Sequence, residues 1–151
     1  MKKLTKTDTA ISGLLPGLVR LVENWEPDLL KTEKEYRDSL LKFFRSTIPE
    51  DCSVEREYRH GGTTTDIFVS WKGLLFSSDV FVEIKRNLQK KAHFDRLVGQ
   101  LEGLQPGKHK ILLVLVGNTD EGLLSRLKTR YAEFTNEYFP AGELMAIVVK
   151  K

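Results

Sequence analysis

Val80-Phe-Val-Glu-Ile-Lys85, read with Thr65-Asp-Ile67 upstream of it, decides the fold. Alternation along residues 80–85 predicts a strand with Val80, Val82 and Ile84 on one face and Phe81, Glu83 and Lys85 on the other. Asp66 opens an earlier apolar run, Ile67 to Trp71, with a turn around Lys72-Gly73 between the two. An antiparallel hairpin therefore sets Asp66 beside Glu83, seventeen residues on, and gathers two carboxylates and an ammonium on one patch.

Working outward, Val54 to Arg59 reads as a strand before this hairpin, broken by Gly61-Gly62. Thr32 is an N-cap, with Glu33 and Glu35 in the first turn. Tyr36, Leu40, Leu41, Phe44 and Ile48 then form an apolar stripe up to Pro49. Downstream, helix is expected from Lys91 to Leu104, a buried strand from Ile111 to Val116, a second long helix from Glu121 to Tyr138, and a closing strand from Leu144 to Val149. The order α-β-β-β-α-β-α-β implies an α/β fold, a mixed sheet of about five strands flanked by helices. Residues 31–151 are expected to form one domain and 1–30 a helical extension. In that extension Ile11, Leu14, Leu15, Leu18, Val19 and Val22 keep helical spacing, while Gly13, Pro16 and Gly17 predict a broken or short helix.

The chain has 151 residues, 40% hydrophobic and 30% charged, with a net charge of +3. Such a composition fits a single globular domain and points only weakly to nucleic acid. With one cysteine, Cys52, neither a disulfide framework nor a zinc-type Cys/His spacing exists. A reduced, cytoplasmic setting is expected, without a secretory signal or an apolar run long enough for a membrane span.

Two carboxylates held together repel each other unless a cation intervenes. Hard oxygen donors select Mg2+ or Mn2+ over zinc. Lys85 beside them suits charge neutralisation at a phosphoryl group. Taken singly, Glu-x-Lys on a strand is commonly a solvated face, and an aspartate before a strand a turn residue; the conjunction gives the reading its weight.

The helix 32–41, Thr-Asp-Ile at 65–67 and Val-Phe-Val-Glu-Ile-Lys at 80–85 together resemble the PD-(D/E)XK nuclease superfamily, which includes restriction endonucleases and Holliday junction resolvases. The resemblance extends from about residue 32 to 116. It implies a restriction endonuclease-like core and a Mg2+-dependent endonuclease acting on nucleic acid, DNA in the first place. Asp66 and Glu83 are then metal ligands, the Ile84 carbonyl completes the shell, and Lys85 is the catalytic lysine. A glutamate from the first helix is often added. Glu33 lies on the sheet-facing side and is preferred, with Glu35, about 200° away, as the alternate. Gln100 resembles a glutamine that some members place beside the lysine. Thr65 stands where the motif's name has proline.

Nucleic-acid contacts are expected from Arg86, Lys90 and Lys91 at the strand–helix junction, from Arg96 on the following helix, and from Arg59 and His60 before the glycine- and threonine-rich stretch 61–65. An inactive module of the same fold that binds nucleic acid or a protein is the alternative function. A homodimer is a further option, since nucleases that cut both strands often pair by symmetry.

Overall fold

The computed structural model describes residues 13–60, 62–72, 77–135 and 144–150. Among these residues, four helices, α1 (Leu14–Asn24), α2 (Glu33–Thr47), α3 (Lys91–Gly103) and α4 (Glu121–Arg130), flank five strands: β1 (Cys52–His60), β2 (Thr63–Lys72), β3 (Ser77–Arg86), β4 (Lys110–Val116) and β5 (Met145–Lys150). The strands lie in chain order across one sheet. β1, β2 and β3 form an antiparallel meander, and β3, β4 and β5 run parallel. The mixed α/β fold expected from the alternation is therefore present, with α1 preceding it.

Each face of the sheet carries its own core. Leu14, Leu18, Tyr36, Leu40 and Phe44 of α1 and α2 pack on Ile67, Val69, Val80, Val82, Ile84, Leu112 and Val114. On the opposite face Phe94, Leu97, Leu101, Leu123 and Leu127 of α3 and α4 pack on Phe81, Ile111, Leu113, Leu115 and Met145. A parallel strand covered on both sides must be apolar at every position, and Ile111 to Val116 are all buried.

Helix α2 begins as its sequence dictates. Thr32 Oγ1 accepts the Glu35 N–H at 3.1 Å and donates to the Glu35 carboxylate at 3.2 Å, a reciprocal cap worth about 1 kcal/mol. It ends at Thr47, with Ile48 extended ahead of Pro49.

Two expectations are corrected, and a third is met in its shorter form. Helix α1 is short, as expected, and unbroken: Pro16 sits in its first turn, where a missing N–H costs nothing. Its Leu14, Leu15, Leu18, Leu21 and Val22 are all buried. Helix α4 stops at Arg130 rather than continuing through Tyr138. Tighter turns follow, and the Phe134 carbonyl accepts the N–H groups of Leu144 and Met145 at the start of β5. Residues 136–138 lie outside the described residues. Finally, Thr63 to Thr65 belong to β2 instead of a loop, since His60 already pairs with Thr63.

Strand β1 departs from plain alternation. Val54 packs with the α1/α2 core, yet Tyr58 stacks on Phe68 of the opposite core with ring centroids 4.1 Å apart. Two residues an even number apart should share a face. The switch falls at Glu57, whose φ of 51° is in the left-handed region, a costly conformation for a residue with a side chain.

Candidate metal site at a fork between two strands

Strands β2 and β3 pair only as far as Ile67 and Val82. Beyond that level β2 continues along β1 to Thr63, while β3 continues along β4 to Arg86. The fork would strand backbone groups that the ladder normally satisfies. Side chains take over instead. Asp66 Oδ2 accepts the Ile84 N–H at 2.8 Å, and Thr65 Oγ1 donates to the Val82 carbonyl at 3.0 Å.

Glu83 lies in this fork at 3% exposure, and its Oε1 has no hydrogen-bond partner. Burial, and then the Asp66 carboxylate, push its carboxyl up from 4.5 to about 8, with the Thr65 side chain and the Asp66 N–H opposing the rise. Asp66 is also raised, chiefly by burial, with the Ile84 N–H and the Arg37 guanidinium opposing the rise. Two carboxyls thus share one poorly solvated pocket, and one of them holds a proton near neutral pH.

Lys85 is two residues beyond Glu83 on β3, with a side chain only 13% exposed. Its Nζ is 3.3 Å from Glu33 Oε1, and the same oxygen accepts the Arg86 N–H at 3.0 Å. The α2 first turn is thereby clamped to the end of β3. Of the two glutamates weighed for this helix, Glu33 reaches the fork; Glu35 is occupied by the Thr32 cap.

The unbonded Glu83 oxygen and the two mutually repelling carboxylates fit a hard divalent cation. Among the described residues, however, no three His, Cys, Asp or Glu side chains are grouped to hold one together. Glu33 is engaged with Lys85 and Arg86 and does not join Asp66 and Glu83 as a third donor.

The other expected site residues are more dispersed. Gln100 and Arg96 are exposed on α3, and neither has a hydrogen bond or ion pair among the described residues. Lys90 precedes α3 and is exposed, and Lys91 pairs with Asp95 at 3.9 Å. Arg86 is half-buried at the end of β3, and Arg59 is exposed on β1. The side chain of His60 lies outside the described residues.

Three site residues had not been anticipated. Arg37 follows Glu33 by four, the spacing that shares a helix face, and that spacing is the signal that could have found it. Thr65 is fully buried, and its hydroxyl role becomes visible only once the fork exists. Glu57 gives no signal in the sequence, because its part depends on the backbone switch in β1.

No protein-family model matches the chain, and neither does any curated protein sequence. Among solved structures, that of Pyrococcus furiosus SfsA in complex with Ca2+ is similar at 15% identity and a TM-score of 0.46. The match covers 76% of this chain and 57% of that one.

Proposed function

We propose that the chain is a metal-dependent nuclease of the PD-(D/E)XK type that hydrolyses phosphodiester bonds, with DNA as the first substrate to test. The observation that carries this reading is the pair Asp66 and Glu83, buried together at the fork with one Glu83 oxygen unbonded and Lys85 alongside.

Asp66 and Glu83 would hold Mg2+ or Mn2+, with the Ile84 carbonyl and water as further donors. When bound, such an ion supplies charge stabilisation at the phosphoryl oxygens and makes water a better nucleophile. Asp66 is oriented by the Ile84 N–H, so its donor geometry is fixed in advance. Glu83 would hold such an ion as the carboxylate, the cation taking the place of the proton as the neutralising charge. Glu33 keeps the Lys85 ammonium at the edge of the site, where it would face a scissile phosphate and stabilise the charge that builds there.

The test is cleavage of single-stranded, double-stranded and branched DNA by purified protein with Mg2+ or Mn2+. The expected result is a product that needs the metal and is lost in Asp66→Asn, Glu83→Gln and Lys85→Ala while each variant stays folded. Absence of a metal-dependent product on every DNA and RNA substrate would overturn the proposal.

A further inference from the structure

Beside the fork, α2 and β1 hold four charged side chains in a closed ring. Arg37 Nη1 is 2.7 Å from Glu57 Oε1, and Arg56 Nη2 is 3.9 Å from the same oxygen. Asp38 Oδ1 lies 3.7 Å from Arg37 and 3.8 Å from Arg56. We propose that Arg37 and Arg56 form a binding site for a backbone phosphate of nucleic acid, occupied in the free protein by the Glu57 carboxylate. The identity of the ligand rests on the nuclease reading above; the anion site itself rests on this ring.

Four observations support an exchangeable occupant over a permanent surface ion pair. The Arg37 side chain is only 12% exposed, yet its Nε is buried without a hydrogen-bond partner. A guanidinium has a donor fork matched to a tetrahedral oxyanion; Glu57 takes one nitrogen at 2.7 Å, while Asp38 Oδ1, buried and itself without a hydrogen bond, stays at 3.7 Å and leaves part of that fork unused. Glu57 has a φ of 51° at the point where β1 switches faces, and this backbone turn is what aims its carboxylate at the arginines. Its side chain is 52% exposed, so it can swing into water. Finally, the ring adjoins the proposed hydrolytic centre. Glu57 stands between the pairs Arg56–Ile67 and Tyr58–Thr65, opposite Asp66, and the Arg37 charge acts on Asp66. A phosphate held there would belong to the same backbone as the one at the metal site.

Glu57 would then act as an internal competitor that raises the threshold for weak or nonspecific anions. The experiment is fluorescence anisotropy of a labelled DNA duplex titrated with full-length protein in EDTA, where no cleavage occurs, over a series of salt concentrations. Glu57→Gln should bind about fivefold tighter, the equivalent of one modest ion pair. Arg37→Met and Arg56→Met should each bind more weakly, with the salt slope reduced by about one. Glu57→Gly, which accepts a φ of 51° without strain, guards against misfolding and should bind at least as tightly as Glu57→Gln. Unchanged or weaker binding in both Glu57 variants, with melting temperatures at or above that of the parent, would overturn the inference. The readout is independent of catalysis: tighter binding by Glu57→Gln together with no metal-dependent product sinks the hydrolytic reading and leaves the phosphate site standing.

Discussion

Replacing Glu83 by glutamine should make the metal-free protein more stable at alkaline pH and remove most of its stability loss between pH 5 and 8. The sign follows from the direction of the shift. Glu83 titrates near 4.5 when unfolded and about 8 when folded. Between those values the folded chain keeps a proton that the unfolded chain has released, so stability falls as pH rises through this window and levels off above it. The full shift corresponds to a ceiling on the order of 5 kcal/mol. Asp66 is raised alongside Glu83, chiefly by burial, so the two carboxyls release their protons as a pair and the loss belongs to the pair. Glutamine keeps the volume and stays neutral throughout. Urea unfolding in EDTA at a series of pH values measures both proteins, and the difference between their slopes cancels histidines and surface groups. Saturating Mn2+ at pH 8 should restore stability to the parent and do little for Glu83→Gln. Equal pH slopes for the two proteins would show that Glu83 is solvated and ionised, and the argument for a cation at the fork would go with it.

Two further substitutions test the supports of the site. Thr65→Val keeps the shape but strands the buried Val82 carbonyl, so it should cost about 1–3 kcal/mol in denaturant unfolding; a smaller loss would mean that the fork does not depend on that hydroxyl. Glu33→Ala removes a side chain that is 45% exposed, so stability should change by less than about 1 kcal/mol. Cleavage should nonetheless drop roughly tenfold because Lys85 is released, and an unchanged rate would remove Glu33 from the machinery.

The hairpin that brings Asp66 beside Glu83 was legible because its side-chain period is two and one face of β3 is unbroken apolar sequence. That Glu33 rather than Glu35 faces the end of β3, where it engages Lys85 and Arg86, was legible for a similar reason: a helix turns about 100° per residue, and the Tyr36–Leu40–Phe44 stripe fixes which side meets the sheet. What alternation could not reveal is where it stops. Nothing in Val54-Glu-Arg-Glu-Tyr58 marks the switch at Glu57, because the stacking of Tyr58 on Phe68 that accompanies it is a tertiary contact. The end of α4 was hidden in the same way, since Phe134 is committed to the start of β5 by hydrogen bonds between segments distant in sequence. Gln100 is a different case: its helix was read correctly, and the residue is exposed, with no hydrogen bond or ion pair among the described residues.

The fork also explains why chemistry would collect at this point of the sheet. A meander strand and a parallel strand part company when one follows β1 and the other follows β4, and the gap exposes backbone donors and acceptors in an otherwise closed interior. Water could fill it at little cost, but here carboxylate and hydroxyl side chains do so, which draws a second carboxylate into the same low-polarity space. Two such groups are unstable as neighbours unless a proton or a metal ion sits between them. The proton satisfies the resting protein, whereas a divalent ion would satisfy both carboxylates and also attract a phosphodiester. A fold that needed only stability would close this gap with apolar side chains, as it does along the rest of β3 and β4; that it keeps an ionisable pair there is the strongest physical reason to look for a reaction.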